Sequence, residues 1–128
     1  MKPHVILVVT SLLSIFFMML HLADDIVRGF EPGDLSNYTG VLILVVWLYA
    51  TLVLAERRSR YVILLVLSLL GSFVPVLHMK GAGLGGKVAD SSGGLLFVAT
   101  LLALGVTSLF SFILSARGLW SLRRGRPR

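Results

Sequence analysis

The sequence predicts an all-α fold: a four-transmembrane-helix bundle, N-in/C-in, built from two helical hairpins. Three observations predict it. First, 56% of the 128 residues are hydrophobic and 14% are charged. A soluble domain is roughly a quarter charged, so eighteen charges, 12 Lys+Arg and 6 Asp+Glu, leave too little polar surface for a water-soluble globule. Second, apolar runs of spanning length recur along the whole chain. Third, bases and acids segregate to opposite ends of those runs. The same composition disfavours a soluble enzyme and a disordered tail. A disulfide scaffold is excluded by the absence of cysteine.

The hydrocarbon core of a bilayer is about 30 Å thick, so a crossing helix needs about 20 mostly apolar residues. Four segments meet this, at about residues 4–22, 38–55, 61–79 and 94–119. They define a single integral membrane domain over residues 1–128. The first opens after Lys2, as a signal peptide would. Its apolar run exceeds a typical h-region and no small-x-small site follows, so it reads as a retained helix. The second has no charge between Asp34 and Glu56, and Asp34 or Ser36 is placed to cap it. The third contains Pro75, which predicts a bend one turn before His78. The fourth is long enough to project beyond the bilayer. No heptad pattern is visible.

Charge sets the orientation. Lys2, Arg57, Arg58, Arg60, Arg117, Arg123, Arg124, Arg126 and Arg128 fall on one side with Glu56, nine bases less one acid, or +8. Asp24, Asp25, Glu31, Asp34 and Asp90 fall on the other with Arg28, Lys80 and Lys87, three bases less five acids, or −2. The two sum to the formal net charge of +6. Basic loops stay in the cytoplasm, so both termini are expected there, in a plasma or cytoplasmic membrane. The bases then read as juxtamembrane contacts to anionic lipid, making the bilayer the first partner. The tail Ser-Leu-Arg-Arg-Gly-Arg-Pro-Arg lacks the length and aromatic interleaving of a nucleic-acid module.

Gly81, Gly83, Gly86 and Lys87 match phosphate-binding strings. Those strings need a preceding strand and a following helix whose amides cradle phosphate. An apolar helix precedes them here, and Val88 stands where a magnesium-binding Ser or Thr belongs. No nucleotide is expected. Nothing places Ser91 or Ser92 beside a base, so no serine triad is expected, and the chain reads as a non-enzyme.

Small and hydroxyl residues form rows: Thr10 and Ser14 in the first span, Ser68, Gly71, Ser72 and Pro75 in the third, and Ala103, Thr107, Ser111 and Ser115 in the fourth. Spacings of three and four put each row on one helix face. Such rows let helices pack closely. A hydroxyl-lined path for a transported substrate is the functional alternative. No span holds a charge near its centre, which favours packing. A weak internal repeat places His21 and His78 at matching positions in the two halves.

The cluster with chemical content ends the first span. Helical offsets put His21, Asp24, Asp25 and Arg28 on one face, on the stripe of Thr10, Ser14 and Met18. His78 closes the third span at similar depth. His21, Asp24, Asp25 and His78 therefore form a candidate metal set at the extracytoplasmic mouth, suited to zinc, iron or manganese. His21 and His78 could alternatively ligate haem as an axial pair, or His21 could do proton work tuned by an aspartate. The plain alternative pairs Arg28 with Asp24 or Asp25 and leaves the histidines as interfacial residues. The leading functional reading is a small accessory or scaffold subunit that oligomerises or binds a membrane-protein partner. A metal-, haem- or small-ligand-binding protein is the rival, and a small transporter the third reading.

Overall fold

A computed structural model describes residues 2–31, 33–34, 37–54, 57–79 and 91–125. The glycine-rich run from Gly81 to Val88 lies outside the described residues, as do Ser36 and Glu56. Among the described residues, four helices make up the fold: α1 (Pro3–Val27), α2 (Tyr38–Leu52), α3 (Arg58–Met79) and α4 (Gly94–Arg123). Among the described residues there is no strand.

Pro3 starts α1 at its first position, where a missing N–H costs nothing and a fixed φ favours the helix. The helix runs five residues past the expected end at residue 22. Two features carry it on. Arg28 and Asp24 pair at i,i+4 spacing, and a Schellman closure holds the end. The Phe30 amide donates to the Asp25 carbonyl at 2.8 Å and the Gly29 amide to the Ile26 carbonyl at 3.0 Å. Gly29 adopts φ 75°, a conformation that favours glycine over any L-residue.

The N-cap of α2 is Asn37, with no side-chain capping bond, and not the expected Asp34. Its 15 residues rise about 22 Å, short of the bilayer core. The other three helices, of 25, 22 and 30 residues, are each long and apolar enough to cross a membrane.

Leu7 near the start of α1, Ala50 near the end of α2, and Tyr61 and Leu64 near the start of α3 share one core cluster, joined by Leu114 and Leu119 near the end of α4. Consecutive helices therefore run antiparallel. Phe97 and Leu101 form a second cluster toward the opposite end, with Val74 and Val98.

The buried positions reveal a pattern missed in the sequence. Apart from Ile15, Arg60, Gly94 and Thr100, which lie beside the row, they fall at Leu7, Ser11, Ser14, His21 and Asp25 in α1, and at Tyr61, Leu64, Ser68, Gly71 and Pro75 in α3. In α4 they fall at Phe97, Leu101, Leu104, Ser108, Ser111 and Ser115. Steps of three and four alternate along each helix, with Met18 half-buried at the gap in α1. This is the seam spacing of left-handed helix packing. It escapes an apolar heptad search because Ser11, Ser14, Ser68, Gly71, Ser108, Ser111 and Ser115 interrupt its apolar positions. It also corrects the α4 row: Ser111 and Ser115 are buried, but Ser108 and Leu104 continue the seam, while Thr107 and Ala103 lie half-buried beside it.

The close approach of α3 and α4 depends on these small residues. A Cβ on Gly71 would come within 2.6 Å of Ser108 Oγ, and one on Gly105 within 2.7 Å of the Pro75 ring. Pro75 is thus seated against α4. Trp47, fully buried, anchors α2: its Nε1 donates to Ser11 Oγ at 3.0 Å, and Ser11 bonds the Thr51 hydroxyl at 2.7 Å. Ser111 reaches Thr10 Oγ1 at 3.0 Å. The outside is the reverse of the inside. Val41, Leu42, Val45, Leu70, Phe73, Val106, Phe110 and many other apolar side chains are exposed. A bundle with hydroxyls within and continuous apolar faces without fits a membrane protein.

Candidate metal centre

The last two turns of α1 sort their polar side chains by angle. His21 and Asp25 stand one turn apart on the buried seam, 3% and 6% exposed. Asp24, one residue back, points about 100° away around the helix. It meets Arg28 there, which donates from Nε to Asp24 Oδ2 at 2.7 Å. Two adjacent carboxylates thus have different neighbours. Asp24 is neutralised by an arginine, whereas Asp25 faces imidazoles.

His78 arrives from the last turn of α3. Its Nδ1 lies 2.9 Å from the Val74 carbonyl oxygen. A carbonyl only accepts, so Nδ1 carries the hydrogen and donates it. That leaves Nε2 of the neutral ring with its lone pair, aimed at Asp25 Oδ2, 3.6 Å away. His21 Nε2 lies 3.4 Å from the same oxygen. One ligand atom from each of His21, Asp25 and His78 falls within 4.8 Å of the others.

These distances discriminate between chemistries. Charge-assisted hydrogen bonds run about 2.7–2.9 Å, so neither histidine–aspartate contact is one. Both ring nitrogens of His21 and Oδ1 of Asp25 are buried without a hydrogen-bond partner. Bonds of about 2.0–2.1 Å to a tetrahedral ion put neighbouring ligand atoms roughly 3.4 Å apart. The two separations from Asp25 Oδ2, 3.4 and 3.6 Å, are close to that edge, and the third, between the imidazoles, is within 4.8 Å. A divalent cation would satisfy the carboxylate and both lone pairs together.

Phe97, in the first turn of α4, walls the cluster, its ring centroid 5.2 Å from that of His21 and 6.0 Å from that of His78. Arg28 lies over the Phe97 ring at 5.5 Å and donates from Nη1 to Ser91 Oγ at 2.8 Å, tying the end of α1 to the approach to α4. Sequence reasoning missed Phe97. A lone phenylalanine in an apolar helix carries no signal of what it covers, and only the antiparallel packing brings it here.

Of the four residues expected to form the set, the structure brings His21, Asp25 and His78 together and gives Asp24 to Arg28. The two histidines do meet, as their matching places in the two halves suggested. They meet too closely for an axial haem pair. Their rings touch edge to face with centroids 4.6 Å apart, whereas two axial imidazoles, each about 2 Å from the iron with the porphyrin between them, hold their ring centroids roughly 6 Å apart. Comparisons with protein families, curated proteins and solved structures find no match.

Proposed function

We propose that this chain is a four-span membrane protein that binds a divalent first-row transition metal at its extracytoplasmic mouth. His21, Asp25 and His78 are the ligands. Zinc fits the two-imidazole, one-carboxylate set best, and iron and manganese accept the same donors. Three protein ligands leave a fourth position for water, a small ligand or a group from a partner. The observation that carries the reading is the buried Asp25 carboxylate, whose Oδ2 lies 3.4 and 3.6 Å from two imidazole nitrogens and whose Oδ1 has no hydrogen-bond partner.

Four crossings and cytoplasmic termini belong to the same proposal. α2 is short, but it joins the end of α1 to the start of α3 at the opposite end of the bundle. Val53 and Leu54 lengthen its apolar reach. Seven described bases gather at the end holding Lys2, Arg58 and Arg123, which supports placing that end inside.

Elemental analysis tests the metal reading. The protein is extracted in mild detergent without chelator, beside a His21→Ala/His78→Ala double variant. One metal ion per chain or per dimer, lost in the variant, supports the site. No metal in either, after incubation with zinc, iron(II) and manganese(II), overturns it and restores the accessory-subunit reading.

A further inference from the structure

At the end of the bundle opposite the metal cluster, Leu65, Ala116, Leu119, Trp120 and Arg123 line a groove of about 360 Å³ between α3 and α4. That volume falls within the range of ligand sites, about 300–1,000 Å³. Four of its five walls are apolar, and the fifth is a guanidinium in the last turn of α4. Trp120 is 60% exposed, yet its ring is covered on one face by Arg124, whose Cζ lies 4.6 Å from the ring centroid. Among the described residues this end carries Lys2, Arg57, Arg58, Arg60, Arg117, Arg123 and Arg124 and no acid.

The geometry points to a binding site for an anionic phospholipid. One acyl chain lies against Leu65, Ala116, Leu119 and Trp120, and the phosphate is held by Arg123. The two halves of the groove require an amphiphile. An inorganic anion has no use for the leucine and tryptophan walls, and a purely apolar ligand has none for the arginine. Arginine suits the phosphate because its planar fork donates two parallel hydrogen bonds. Basic pockets between helices at the cytoplasmic surface are where anionic headgroups collect. The tryptophan marks the interface, apolar ring in the chain region and N–H at the headgroups. This inference rests on the membrane reading and is independent of the metal.

Native mass spectrometry of the detergent-extracted full chain tests it, with phosphatidylglycerol and phosphatidylcholine added separately at equal concentration. Wild type is expected to retain phosphatidylglycerol and to lose phosphatidylcholine. Arg123→Ala is expected to weaken retention roughly tenfold, the loss of one charge-assisted contact. Arg117→Ala, an exposed base at the same end that lines no part of the groove, is expected to leave retention unchanged. Glycerol phosphate in excess is expected not to displace the lipid. Equal retention of both lipids, equal loss in the two arginine variants, or displacement by glycerol phosphate would each overturn the site. The wild-type lipid comparison stands even if a variant fails to fold. A chain recovered in the soluble fraction would overturn the membrane reading itself, whereas a membrane-extracted chain without lipid preference would overturn this inference alone.

Discussion

His78 presents Nε2 to Asp25 at 3.6 Å while its Nδ1 is bonded to the Val74 carbonyl at 2.9 Å. The backbone bond fixes the ring's orientation and leaves Nε2 bare, the arrangement that metal-binding histidines use. It also separates two neighbouring aspartates by role. Asp25→Asn is expected to lower zinc affinity about 100-fold or more, beyond the 10–100-fold typical of outer-shell changes. Asp24→Asn should cost less than about tenfold, because it disturbs only the Arg28 pair beside the site. Titration calorimetry on both variants checks this. Equal losses would mean that the set is not the one described.

The same carboxylate makes a prediction about stability. In the chelated protein, Asp25 is a buried carboxyl group with Oδ1 unpartnered and Oδ2 3.4 Å from the His21 imidazole. Such a group opposes folding unless it is neutralised. Asp25→Asn should therefore raise the unfolding midpoint of the chelated protein and abolish the gain on adding zinc. Wild type should gain about 2.7 kcal/mol at a free zinc concentration 100 times its Kd. Thermal unfolding in detergent, with and without chelator, reads both effects. A chelated Asp25→Asn variant less stable than chelated wild type would show that Asp25 already has a satisfactory partner.

A third prediction concerns α2. Its tie to α1 is the bond from Trp47 Nε1 to Ser11 Oγ, fully buried, with Thr51 bonded to the same serine. Trp47→Phe removes the donor and part of the ring from a packed site. A loss of about 1–3 kcal/mol is expected. Tyr49→Phe, at an exposed position on the same helix, should change stability by less than about 0.5 kcal/mol. Unfolding by an anionic detergent in mixed micelles distinguishes them. Similar losses in both would mean that α2 is held by its lipid-facing side.

The helices were legible because length and hydropathy are local properties, and the ends of α3 and α4 fall where composition changes. The end of α1 was less so. Apolarity stops near Leu22, but the helix is closed by Gly29, a signal of backbone geometry that hydropathy does not see. The seam was half legible. Ser14, Ser68, Ser111 and Ser115 were expected to face inward, but rows of strict i+4 spacing drift around the helix, and Ser108 takes the place assigned to Thr107. At the site, His21, Asp25 and His78 were on the page as residues of matching depth. The choice between Asp24 and Asp25 was not, because it turns on the helix rotation that sends one toward Arg28 and the other into the bundle.

The last prediction concerns topology. Because the chain contains no cysteine, single cysteines report cleanly. Glu31→Cys follows α1, Arg57→Cys precedes α3, and Arg124→Cys follows α4, all at exposed positions. If α2 crosses the bilayer with both termini inside, an impermeant maleimide labels only Glu31→Cys in right-side-out vesicles. The other two label only after permeabilisation. Arg57→Cys is the informative site, because its side depends on α2 alone. If it labelled from outside together with Glu31→Cys, the 15-residue helix would re-enter the face it left, giving three crossings. Arg124→Cys would then also be expected outside or α3 and α4 would not both cross. The antiparallel packing argues for four, since Ala50 near the end of α2 shares a core cluster with Leu7 near the start of α1. Thr51, the next residue, bonds Ser11 in the third turn of α1 at 2.7 Å, which sets the end of α2 beside the first half of α1.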